Sequence, residues 1–146
     1  MSTAIHRLVD AARAGGDPTV IARLGSGWAV FGRRQFVRGY ALLLPDPVVP
    51  HLNALDGVAR QRFLDDMARL GDALLQETGA VRINYAMFGN VEPALHAHVV
   101  PRHADEPAHL RTAHPWAYDW EAAPAFDPAA CASLAARLRA RLAGEP

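Results

Sequence analysis

The chain has a single cysteine, Cys131, in 146 residues, which leaves it no intramolecular disulfide and no cysteine-rich zinc module. Cys131 lies in an alanine-rich helical pattern, where a thiol serves as a small apolar filler. Neither sign of charge predominates, since 15 Lys+Arg balance 15 Asp+Glu. Proteins that grip a nucleic-acid duplex show a basic face or run, and no such run is present, so nucleic acid is not an expected partner. A nucleotide-sized anion needs only a few donors and stays open. Long apolar runs are also missing: the longest are a handful of residues, far below the roughly 20 of a membrane span. Ile5–Val9 is too short for a signal peptide core and is broken by His6 and Arg7. The expectation is a soluble, cytoplasmic protein with no membrane partner. No repeat, low-complexity tract or linker interrupts the chain. With 51% hydrophobic and 21% charged residues, residues 1–146 read as one globular domain.

What is present is a set of well-punctuated elements. Ser2 or Thr3 can cap a helix to about Ala14, with Ile5, Leu8, Val9 and Ala12 on one stripe. Asp17-Pro18 is a helix-start pair, predicting a short helical turn that carries Val20, Ile21 and Leu24. Trp28–Phe31 and Tyr40–Leu44 read as strands joined by a basic connector with Arg33, Arg34 and Arg38. Asp56 opens the strongest helix, to about Thr78, in which Phe63, Met67, Leu70 and Leu74 form a core stripe; Gly79 ends it. Val81–Phe88 alternates and reads as a strand. A second strand, closed by Pro101, follows after only Gly89–Pro93. So short a connection favours antiparallel neighbours. Arg102–Pro124 is irregular, and Asp127-Pro128 starts a last helix along Leu134, Leu138 and Leu142. The fold class is therefore α+β, with an antiparallel sheet of about five strands, one long helix and a C-terminal helix.

The chemistry concentrates in Asn84–His103. His96 and His98 are two residues apart on an extended run and point the same way, roughly 7 Å apart. Such a pair can bind a metal, anchor an anion, or act as nucleophile and partner. A zinc site needs a third donor, for which His103, His51, His109 and His114 are the candidates. The plain alternative is an ordinary pair of sheet residues, one hydrogen-bonded and one solvated. His114-Pro115-Trp116-Ala117-Tyr118-Asp119-Trp120 places three aromatics within five residues. These rings stack on a base, pack at a subunit interface, or cover the edge of the core.

The segment Ala94-Leu95-His96-Ala97-His98-Val99-Val100-Pro101-Arg102 resembles the signature of the histidine-triad (HIT) family, His-φ-His-φ-His-φ-φ followed by Pro-Arg. Ile83-Asn84-Tyr85-Ala86 with Gly89-Asn90 is similar to the strand and turn before that triad. Gly39-Tyr40-Ala41-Leu42-Leu43-Leu44-Pro45 is similar to the family's Gly-His-x-φ-φ-φ-Pro strand, over a resemblance spanning about Gly27–His103. The resemblance implies a nucleotide hydrolase acting at an α-phosphate, on a dinucleoside polyphosphate such as diadenosine tetraphosphate or on a nucleoside phosphoramidate. It implies His96 as nucleophile, through a nucleotidyl-histidine intermediate, and His98 as donor to a phosphate oxygen. Asn84, Gly89, Asn90 and Arg102 are the expected substrate-binding residues. It implies no bound metal or cofactor, with magnesium only accompanying a polyphosphate substrate, and a homodimer. Two positions depart from the pattern: Ala94 replaces the first histidine of the triad, and Tyr40 replaces the histidine of Gly-His. The alternatives are a nucleotide-binding relative without chemistry and a histidine-based metal-binding protein. The His-Pro-His-x-Gln pattern of the galactose-1-phosphate uridylyltransferase branch is not met, since Ala97 and Val100 stand at its Pro and Gln.

Overall fold

In the computed structural model, which describes residues 2–144, five antiparallel strands form one sheet in the order β1-β2-β3-β5-β4. They are β1 (Val20–Arg23), β2 (Gly27–Phe31), β3 (Ala41–Pro45), β4 (Arg82–Ala86) and β5 (Ala97–Arg102). The helices are α1 (Ala4–Ala14), α2 (Gly57–Thr78), the short α3 (Ala108–Arg111) and α4 (Pro128–Ala143). The expected α+β architecture is the observed one. Residues 1, 145 and 146 of the expected domain lie outside the described residues.

Most element boundaries follow from local chemistry. Thr3 caps α1 in a capping box with His6, satisfying N–H groups that the first helical turn leaves free. The Asp56 carboxylate accepts from Ala59 N–H at 2.9 Å to start α2, and Gly79, left-handed at φ 71°, ends it. Asp127 caps α4, with Pro128 in its first turn. Asp17-Pro18 behaves otherwise: the expected short helix is strand β1. Asp17 Oδ1 accepts from both the N–H of Thr19, at 3.0 Å, and its hydroxyl, at 2.8 Å. That closes a turn instead of capping a helix, and the β-branched run Thr19-Val20-Ile21 then pairs with β2. Pro101 likewise does not close β5, which runs on to Arg102. Pairing of β3 to β5 stops at Ala41↔Val99, so the missing N–H of Pro101 faces no partner strand.

The period of two along each strand sorts the sheet into two faces. Ala29, Phe31, Ala41, Leu43, Ala97 and Val99 join Phe63, Leu70 and Leu74 of α2 and Leu138 and Leu142 of α4 in the main core. On the opposite face α1 packs Ile5 and Val9 on Val30, Leu44 and Ala94. Beside that cluster, Phe36, Tyr40, Val100 and Ala123 form a third, against which Tyr118 and Trp120 pack. His96 and His98 belong to this second face, between the α1 cluster and the aromatic one.

Candidate active site

Register places the histidines. Leu42 and Ala86 flank His98 across the sheet, and Asn84 pairs with Val100, so Asn84 and His98 share a face. His96 immediately precedes β5 and keeps the same side, its ring centroid 5.0 Å from that of His98. The Leu95 N–H donates to Val49 O at 2.8 Å, which ties the histidine segment to the loop carrying His51.

Two hydrogen bonds give the rings opposite tautomers. His96 Nδ1 lies 2.8 Å from the carbonyl oxygen of Ala94. A carbonyl only accepts, so Nδ1 holds the proton and the neutral ring carries its lone pair on Nε2. His98 Nδ1 lies 2.7 Å from the Tyr40 hydroxyl. Burial pushes the Tyr40 phenol well above its ordinary pKa, so it keeps its proton. Burial, and then the nearby His96, push His98 down to about 4, so near neutral pH its ring has one proton. A buried O–H must find an acceptor, and among the described residues Nδ1 of His98 is the acceptor that Tyr40 meets. The ring proton of His98 therefore sits on Nε2. His96 thus offers a lone pair and His98 an N–H donor, side by side.

Tyr40 supplies a bond at the position where the family pattern has histidine, and Gly32 makes room for it. A Cβ on Gly32 would lie 2.1 Å from the Tyr40 ring, so only glycine admits the ring there. A glycine adjoining a strand gives no hint of a tyrosine eight residues on, so sequence reasoning passes over it. Ala94, at the place of the first triad histidine, is 1% exposed and packed among Ile5, Val9, Val30 and Leu44.

His96 opens into a cavity of about 260 Å³ lined by His51, Asn53, Met87, Phe88 and Gly89. Next to it lies a cleft of about 670 Å³ with Asn84, Ala86 and Val100 on the sheet and His114, Pro115 and Trp116 above. Phe88 borders both. The aromatic segment forms the roof: Trp116 stands edge-on to His98 and to Phe88, each at 5.0 Å between centroids. Trp120 packs on Phe36 at 4.0 Å, so it covers the core while Trp116, 45% exposed, borders the cleft.

Of the expected site residues, His96, His98 and Gly89 come together, and Asn84 lies in the adjoining cleft. Asn90 is exposed on the turn and does not line the His96 cavity. Arg102, expected at a phosphate, is 6% exposed and has its guanidinium committed elsewhere. It pairs with Glu106 at 2.9 Å and donates to Asn84 Oδ1, Ala113 O and Leu110 O, each at 2.8 Å. Its two-residue offset from Val100 keeps it on the site's face, but the chain that follows β5 folds back over it. Burial pushes the Glu106 carboxyl up, but bonds from Arg102, Tyr118 and the His103 N–H outweigh this and hold it low. His103 is occupied at both ring nitrogens, by the Arg38 carbonyl and guanidinium. Among the described residues no three His, Cys, Asp or Glu side chains group as metal donors.

No protein-family model matches the sequence, and no curated protein matches it either. Solved structures do. A histidine triad protein from Bradyrhizobium japonicum superposes with a TM-score of 0.73 at 23% identity, over 84% of this chain and 89% of that one. The fold is that of the histidine-triad proteins. A zinc-bound histidine triad family protein from Mycobacterium smegmatis matches at TM-score 0.68 and 17% identity, over 94% of this chain and 92% of its own. A hypothetical histidine triad nucleotide-binding protein from Sulfolobus tokodaii matches at 0.66 and 12%, over 86% and 83%. On that shared fold this chain carries the pair His96 and His98, with Tyr40 and Ala94 at two positions where the pattern it resembles has histidine.

Proposed function

We propose that this chain is a HIT-type hydrolase that cleaves a nucleotide at its α-phosphate through a covalent intermediate on His96. The observation that carries the reading is the pairing of tautomers. His96 Nε2 has a free lone pair because Nδ1–H is held by Ala94 O, and His98 is bonded by Tyr40 so as to turn an Nε2–H outward. A nucleophile must be unprotonated at the attacking atom, and charge on the transferring phosphoryl group must be met by fixed donors. The lone pair of His96 Nε2 attacks phosphorus, the bond to the leaving group breaks, and its electron pair departs with the leaving atom. Water then attacks the same phosphorus and gives up a proton to solvent, the P–N bond breaks, and the lone pair returns to Nε2. His98 donates to a non-bridging oxygen in both steps. The Gly89 turn borders the cavity and can offer backbone N–H to another. The nucleoside belongs in the cleft of Asn84, Val100 and Trp116, whose ring offers a face for stacking. Magnesium would arrive only with a polyphosphate substrate.

The test is turnover of diadenosine tetraphosphate and of an adenosine phosphoramidate by the wild type and by His96→Ala. Expected are wild-type turnover of at least one substrate, loss in the variant with its fold intact, and a nucleotidyl adduct on the His96 peptide after alkaline quench. Binding of nucleotide without turnover by the wild type would replace the enzyme with the nucleotide-binding alternative.

A further inference from the structure

A basic leaving group such as an amine or alkoxide needs a proton on the atom that departs, and neither histidine of the pair can give one. His96 uses Nδ1–H to hold its own orientation on Ala94 O, and its Nε2 is the bond-forming atom. His98 is a neutral ring, so surrendering its Nε2–H would leave an imidazolate; it can hydrogen-bond but not deliver a proton. The position of the remaining triad member is the alanine buried under α1.

The cavity itself holds another titratable group. Apart from His96, its lining contains one ionisable side chain, His51, with Leu52, Asn53, Met87 and Phe88 as neutral neighbours. His51 sits just ahead of the 3-10 turn Leu52–Ala54. Its loop is fixed to the nucleophile's segment by the bond between Leu95 N–H and Val49 O. Its backbone carbonyl accepts from Ala54 N–H, but among the described residues no side-chain hydrogen bond engages its ring. His51 is an exposed residue, so solvent can restore a proton it gives away. His96 and His51 line the same cavity of about 260 Å³, so the leaving atom of a phosphorus bonded to His96 Nε2 lies within the reach of that shared space.

We propose that His51 is the general acid of the first step, a reading that rests on the function proposed above. As His96 Nε2 bonds to phosphorus, the imidazolium form of His51 passes its proton to the departing nitrogen or oxygen. The leaving group leaves as a neutral amine or alcohol, and neutral His51 regains a proton from water. Histidine suits this role because its ordinary titration spans the range in which such transfers occur.

The experiment measures single-turnover release of the leaving group by wild type, His51→Gln and His96→Ala. One substrate is an adenosine phosphoramidate of an alkylamine, which needs the proton. The other is the p-nitrophenyl ester of adenosine monophosphate, whose phenolate departs without one. For His51→Gln the expected result is a fall of about 100-fold or more on the phosphoramidate, with little change on the ester. Equal loss on both, or no loss on either, overturns the proposal while the nucleotide-hydrolase reading stands. An inert wild type on both substrates sinks that reading and this inference with it. His96→Ala is expected to lose both activities, which separates the nucleophile from the acid.

Discussion

His98 makes the fold itself sensitive to pH. Its pKa of about 4 lies below the ordinary 6.5 because burial and His96 disfavour the charged ring. Between these values the unfolded chain binds a proton that the folded chain refuses, so stability declines as pH falls from 6.5 toward 4 and levels off below. The loss amounts to at most about 3 kcal/mol, since part of the ring is solvated. Urea unfolding across that window is expected to show it, and His98→Gln to remove that share of the slope. An identical slope in the variant would mean that other groups govern the acid limb. Tyr40 belongs to the same unit. Its hydroxyl both satisfies itself on His98 Nδ1 and sets which nitrogen of His98 faces outward, a role that histidine in the family's Gly-His pattern does not announce for tyrosine.

At the scale of elements, α1 decides what the triad strand can be. By laying Ile5 and Val9 over Ala94 it turns the first triad position into packed apolar interior. Ala94→His is therefore expected to destabilise by about 2 kcal/mol or more, through overpacking and the burial of a polar ring. It should not raise turnover. A variant of wild-type melting temperature with faster turnover would show that the slot is roomier than its burial suggests. The elements also differ in how readable they were. α2 and α4 were legible down to their caps because Asp56, Gly79 and Asp127-Pro128 act locally, through one carboxylate or one backbone angle. β1 was not, because Asp17 can close a turn as readily as it caps a helix, and the partner strand β2 decided which. Pro101 stops a strand only where a neighbour wants its N–H, a matter of where β3 ends.

Across the whole molecule, Arg102 and Glu106 tie the sheet to the segment that roofs the site. Arg102, at the end of β5, holds the carbonyls of Leu110 and Ala113, and Glu106 accepts from the Tyr118 hydroxyl at 2.6 Å. Removing one partner of a buried pair strands the other charge, at about 3–5 kcal/mol. Glu106→Ala should accordingly lower the melting temperature by roughly 10 °C in a domain of this size. Because Trp116 lies in the same segment, fluorescence should report its release from His98. A shift of only about 2 °C would mean that the clamp is dispensable. The same clamp explains why Arg102, reasonable as a phosphate ligand from its place after Pro101, has no donor to spare.

The sequence by itself determined α1, α2 and α4, the antiparallel order of the last two strands, and the two histidines on one face, but not α3, which falls in a stretch that reads as irregular. Each of these rests on periods of 3.6 and 2 and on residues that act within a turn of themselves. Tertiary structure alone decided the rest: the tautomers set by Ala94 O and the Tyr40 hydroxyl, the glycine that admits the Tyr40 ring, and the burial of Arg102. It also decided the placing of His51 in the cavity of His96, 45 positions away in the chain. Those depend on which surfaces meet when the sheet closes, and contact between distant segments leaves no period in the sequence to read.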